Sequence, residues 1–137
     1  MDEFPQLLHT VLDTTTPRTL AEFYRQLLGL RYRPGDEPPA DGSADDADWL
    51  VLVDSAGARK LAFQLVESLD RTTWPRPEVP MQLHVDYTVS SRDQLERHRK
   101  RAEDLGAEIL LDRTDDPGEP LYVFADPSGH PFCIFVA

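Results

Sequence analysis

The chain has 137 residues, with 14 Lys plus Arg against 25 Asp plus Glu and a formal net charge of −11. That balance excludes binding to a phosphate backbone or an anionic membrane surface, since both need a basic face, and it suits neutral or cationic small molecules. One cysteine, Cys133, excludes an internal disulfide. No run approaches the roughly 20 apolar residues of a membrane span. The acidic start MDEFPQLLHT lacks an apolar signal stretch, so the cytoplasm is the expected compartment.

Residues 7–13, LLHTVLD, alternate as a strand, with Leu7, His9, Val11 and Asp13 on one face. Thr16 followed by Pro17 reads as a helix start, because proline at the first helical position loses no hydrogen bond. Leu20, Phe23, Tyr24, Leu27 and Leu28 then form one apolar helical stripe, and Gly29 caps it. A short strand over 30–33 leads into PGDEPPADGSADDAD, a loop without a basic residue. Strands are expected at Trp49–Val53 and Leu61–Val66, turned by Asp54-Ser55-Ala56-Gly57. Residues 68–80 carry three prolines and read as an extended linker.

The pattern then restarts. Gln82–Val89 alternates as a strand with Gln82, His84, Asp86 and Thr88 on one face. Ser91 and Gln94 have capping-box spacing, and Leu95, His98, Ala102 and Leu105 make a stripe that Gly106 ends. Strands follow at 107–112, 121–125 and 131–136, with Asp126-Pro127-Ser128-Gly129 turning the chain between the last two. Both halves thus run strand, helix, glycine, three strands, and each has a histidine on its first strand. The expected fold is α+β: two βαβββ modules, 1–67 and 81–137, forming an eight-stranded curved sheet around a central cavity within a single domain, 1–137. The cavity is the natural ligand site.

HTVLDTTTPRTLAEFYRQLLGL resembles the entry segment of the vicinal oxygen chelate superfamily. Its members include glyoxalases, bleomycin- and fosfomycin-resistance proteins and extradiol dioxygenases. His84, Leu105-Gly106 and the closing turn Asp126-Pro127-Ser128-Gly129-His130-Pro131 extend the resemblance over the second half. In metal-dependent members about four strands each supply one ligand, commonly His, Glu, His and Glu. The resemblance places His9, Gln64, His84 and Cys133 at those positions.

His9 and His84 are therefore the metal candidates, and Gln64, Asp86, Cys133 and Trp49 the ligand-binding candidates. No catalytic residue is assigned. A hard divalent cation wants anionic oxygen ligands, and Gln64 and Cys133 supply none. A softer ion such as zinc could use two imidazoles and an ionised thiol. The reading is a glyoxalase-like small-molecule-binding protein of the antibiotic- or metabolite-binding type, with no cofactor expected. The alternative is a metal-dependent lyase, isomerase or dioxygenase using zinc or a similar ion. Its expected partners are a small-molecule ligand and a second copy in a homodimer, with neither nucleic acid nor membrane. His98 and His130 are read as packing and turn residues. Trp74, like Trp49, offers a flat apolar wall.

Overall fold

The computed structural model of the protein describes residues 4–137. The chain divides into two compact units, Met1–Ser68 and Leu69–Ala137. Each is one strand, one helix and three more strands, so the repeated plan read from the sequence is the architecture. The eight strands form two separate four-stranded sheets, one per unit.

The first unit holds β1 (Thr10–Thr14), α1 (Pro17–Leu28), β2 (Arg31–Tyr32), β3 (Trp49–Val53) and β4 (Arg59–Leu65). The sheet order is β1-β4-β3-β2, with β1 parallel to β4 and the other pairs antiparallel. The apolar stripe of α1 buries Leu20, Phe23, Tyr24 and Leu27. The Tyr24 ring stacks on Phe63 of β4 at 6.0 Å, which fixes Leu61 and Phe63 as the helix-facing residues of that strand. Gly29 takes the left-handed conformation at φ 69° and donates its N–H to the Arg25 carbonyl, closing the helix. Thr16 is the N-cap residue, yet its side chain caps nothing. The Thr14 hydroxyl instead accepts the Thr16 N–H at 3.0 Å.

The acidic loop 34–48 is tied down. Arg18 of α1 reaches Asp45 at 2.6 Å and the Asp36 carbonyl at 2.6 Å, and the Asp36 carboxylate accepts the Val51 N–H at 2.9 Å. A helix residue thus pins the loop at two points, and the loop's own Asp36 ties it to the β3 backbone at a third.

The second unit holds β5 (Val85–Val89), α2 (Arg92–Asp104), β6 (Glu108–Arg113), β7 (Leu121–Ala125) and β8 (Pro131–Val136), in sheet order β5-β8-β7-β6. Again the first and last strands pair in parallel. Leu95 and Ala102 of α2 are buried, and Phe124 stacks on Phe132 at 5.0 Å. The Ser91 hydroxyl accepts the Gln94 N–H at 3.2 Å, as the capping spacing requires.

The closing turn is built on a buried carboxylate. Asp126 accepts N–H bonds from Ser128 at 2.9 Å and His130 at 3.0 Å. The prolines of 68–80 read as an extended linker. The structure instead docks its first residues onto this turn: Thr72 N–H bonds to the Gly129 carbonyl at 3.0 Å, and Arg71 donates to the Pro127 carbonyl at 2.8 Å.

Both first strands begin later than the alternation suggested. The ladder of β1 starts at Thr10, opposite Leu61, and that of β5 starts at Val85, opposite Phe132. His9 and His84 each stand one residue before the first rung, although the partner strands reach further, β4 starting at Arg59 and β8 at Pro131. Leu7, 93% exposed, shows what the alternation missed: apolar spacing continues past the point where pairing ends.

Candidate functional site

In the first unit the sheet face turned away from α1 carries Val51, Val53 and Ala62 as a buried apolar patch, with Trp49 packed on it. Gln64 is the rung partner of Trp49 on one side and of Asp13 on the other, and it is exposed. Period-two alternation puts His9, Asp13, Trp49 and Gln64 on this same face. The His9 and Trp49 rings lie 6.0 Å apart, tilted at 52°.

His9 Nδ1 is buried and has no hydrogen-bond partner. Burial holds the His9 pKa below its ordinary value, and the charges of Arg59 and then Arg33 push it the same way. The imidazole is therefore neutral at pH 7, in surroundings that repel cations. Arg59 and Arg33 escaped the sequence reading, because nothing local to either residue links it to His9.

Beside His9 a groove of about 560 Å³ is lined by Leu7, Leu8, Thr10 and residues 57–60. A second cleft of about 600 Å³ lies between α1, β2 and the following loop. Its walls include Glu22, Arg25 and Tyr32, which satisfy one another: Arg25 pairs with Glu22 at 2.8 Å, and the Tyr32 hydroxyl donates to the same carboxylate. None of the sequence-predicted site residues lines that cleft.

In the second unit three candidates converge. Asp86 on β5 and Cys133 on β8 are rung partners, and His84 stands two residues before Asp86 on the same face. His84 Nε2 lies 3.2 Å from Asp86 Oδ1. One donor atom from each of His84, Asp86 and Cys133 falls within 4.8 Å of the other two. The Cys133 thiol is pushed up to about 11, first by burial, then by the negative charge of Asp86 and by donating a hydrogen bond to it. At pH 7 it is a protonated thiol.

His130 is half-buried and serves the closing turn through its backbone, and His98 Nδ1 lies 2.7 Å from the Arg101 guanidinium on α2. Trp74 is half-buried in the 68–80 segment, its N–H bonded to the Thr72 hydroxyl at 3.1 Å. These three belong to local packing.

The model of the glyoxalase-like domain matches residues 9–135, nearly the whole chain. The chain belongs to the glyoxalase-like domain family. Solved structures of similar fold include the fosfomycin resistance protein FosX of Listeria monocytogenes, 16% identical, with 98% of this chain and 94% of that one covered at a TM-score of 0.68. A glyoxalase/bleomycin resistance protein/dioxygenase family enzyme of Burkholderia phytofirmans is 13% identical over 94% and 96% of the two chains, at 0.67. FosX of Mesorhizobium loti is 14% identical over 100% and 94%, at 0.65. At these identities the likeness shows the fold. Among curated proteins no sequence matches. No helix among the described residues is long and apolar enough to cross a membrane.

Metal-dependent members of this glyoxalase-like group bind a divalent ion, so the residues at the corresponding positions can be tested for fit. His9, Gln64, His84 and Cys133 offer two imidazoles, an amide and a protonated thiol, with no anion among them. Arg59 and Arg33 oppose a cation at His9 by the same field that disfavours its protonation. This set does not fit a hard divalent ion.

Proposed function

We propose that this glyoxalase-like protein binds a small organic molecule, in the manner of the antibiotic- and metabolite-binding members of its fold, without a hard divalent ion. The observation that carries the reading is His9 Nδ1, a buried polar atom with no partner, beside the flat Trp49 ring. A buried polar atom left unbonded costs about 1–3 kcal/mol, so a ligand that bonds it recovers that energy on binding. Trp49 adds a surface on which an aromatic ring stacks, worth about 0.5–1.5 kcal/mol beyond area burial. The ligand class is therefore a flat aromatic compound with a hydrogen-bonding edge. Exposed Gln64 adds an amide donor and acceptor on the same face.

The test is calorimetric titration of the protein in a chelator against a panel of aromatic metabolites and antibiotics. A saturable response that His9→Ala or Trp49→Ala abolishes, with the melting temperature nearly kept, is expected. Binding that survives both substitutions refutes the placement. The reading includes a homodimer, supported by exposed apolar Leu7, Leu8 and Leu83 next to the edge strands β1 and β5. Light scattering that gives 15.5 kDa, the mass of one chain, at high micromolar concentration refutes that part.

A further inference from the structure

We infer that the molecule bound beside His9 is an aromatic acid, and that Arg59 is the residue that receives its carboxylate. This rests on the proposed ligand site and narrows its ligand class.

An irregularity in the β3–β4 ladder places Arg59. Val51 pairs with Ala62 and Leu52 with Leu61, a register that would set Lys60 opposite Val53. Val53 pairs with Arg59 instead. Lys60 is therefore the extra residue of a β-bulge. Plain alternation from Ala62 would turn Arg59 toward α1. The bulge turns it to the side of Val53, a member of the apolar patch on the opposite face. Arg59 lines the groove of about 560 Å³ together with His9, and its charge acts on the His9 ring. That volume suits a small organic ligand. Val53 stands four residues from Trp49 on β3, about 13 Å along the strand. The long Arg59 side chain and a bicyclic acid cover that span together.

The pairing of the neighbouring charges selects an anion. Lys60 is committed to Asp54 at 3.7 Å, and Arg33 to Asp36 at 3.1 Å. The Asp54 carboxylate also accepts the N–H groups of Ala56 and Ala58. Arg59 is half-buried, yet among the described residues it has neither a hydrogen bond nor an ion pair. Arg76 and Arg97 share that lack, but both are exposed, where water serves them. A guanidinium is permanently charged, and its planar fork of donors matches a carboxylate. In the bound state the carboxylate accepts from Arg59, the ring lies on Trp49, and His9 Nδ1 bonds a polar edge of the ligand. Asp13, the acid on this face of β1, stands three rungs past Thr10, about 10 Å along the strand. The groove is thus opposite in sign to the chain as a whole, whose net charge is −11.

The experiment is calorimetric titration in a chelator with three probes that share one ring: naphthalene-2-carboxylate, naphthalene-2-carboxamide and 2-naphthylmethylammonium. The carboxylate should bind at least about tenfold more tightly than the amide, the low end for a hydrogen bond to a charged group, and the ammonium should bind most weakly. Added salt should narrow the gap between acid and amide. Arg59→Gln should bring the acid down to the affinity of the amide and leave the amide unchanged, whereas Trp49→Ala should weaken both alike. Arg97→Gln removes one charge at an exposed position of α2 and should leave the preference intact. Melting curves confirm that the variants remain folded. An amide bound as tightly as the acid, with both lost in Trp49→Ala, overturns the inference and keeps the ligand site. The ammonium bound tightest, or equal loss of the acid in Arg59→Gln and Arg97→Gln, also overturns it. So does the failure of all three probes to bind, while the wider aromatic panel still tests the ligand site itself.

Discussion

Replacing Gly129 with alanine strikes the joint between the 68–80 segment and the closing turn. Gly129 sits at φ 93°, a conformation that costs a residue with a side chain about 1–2 kcal/mol. A Cβ there would lie 2.7 Å from both Cβ and Cγ of Arg71 and 2.8 Å from its Cα. The last of these atoms belongs to the main chain, so rotating the Arg71 side chain cannot relieve the clash. The segment must lift, stretching the 3.0 Å Thr72–Gly129 backbone bond, which adds about 1 kcal/mol. The total is about 2–3 kcal/mol, a fall in Tm of about 10 °C for a chain of this size. Urea unfolding followed by circular dichroism measures it. The second variant, Gly129→Ala with Arg71→Gly, removes the clashing Cβ and Cγ atoms and should recover part of the loss, leaving the backbone cost. A Gly129→Ala protein within about 0.5 kcal/mol of the parent, the usual range for a harmless surface change, refutes the docking of the segment on the turn.

Alkylation of Cys133 should be slow at neutral pH and speed up as pH rises toward 11, and Asp86→Asn should shift the profile to lower pH by removing a negative neighbour. Because its folded pKa lies above the unfolded value of about 8.5, Cys133 contributes stability that is present below that value and lost as pH climbs from there toward 11; denaturation between those limits should show a decline that Cys133→Ala lacks. His9 has the opposite sense: its folded pKa is depressed, so the unfolded chain binds its proton more readily and stability falls as pH drops below about 6.5. Proton NMR of the imidazole should find it titrating below the usual range, and Arg59→Ala should move it up. Arg18→Ala should free the 34–48 loop, read as faster amide exchange at Val51, whose N–H the Asp36 carboxylate holds, and as new protease cleavage between 36 and 48.

Helix α1 and the turns were legible because their signals are local. Leu20 through Leu27 set a face by spacing alone, and Gly29, Gly106 and the Asp126 turn each mark a position where the backbone needs a particular residue. The strand limits were less legible, since the first rung is set by pairing with a strand distant in sequence, and nothing in LLHTVLD reports that Thr10 is the first residue to pair, opposite Leu61. Residues 68–80 look like a linker because prolines refuse ladder bonds; that Arg71 bonds 56 residues ahead is a matter of tertiary packing. The sequence shows the acidic loop only as a loop without a basic residue, because its anchor, Arg18, lies on a helix 27 residues before Asp45. At the candidate site, the shared face of His84 and Asp86 follows from a period of two. The field of Arg59 and Arg33 at His9 does not, because it arises from residues that only the folded sheet brings near.

The two parallel ladders keep one register relative to their histidines, so Ala62 in the first unit holds the place that Cys133 holds in the second, and Gln64 stands two residues further on. Cys133 pairs with the residue two past His84, whereas Gln64 pairs with the residue four past His9. At about 3.3 Å per residue the two positions stand about 7 Å and 13 Å along the strand from their own histidines. A designer who installed glutamate at both would not obtain twin half-sites: one new carboxylate would meet its imidazole directly, and the other would need a bridging molecule.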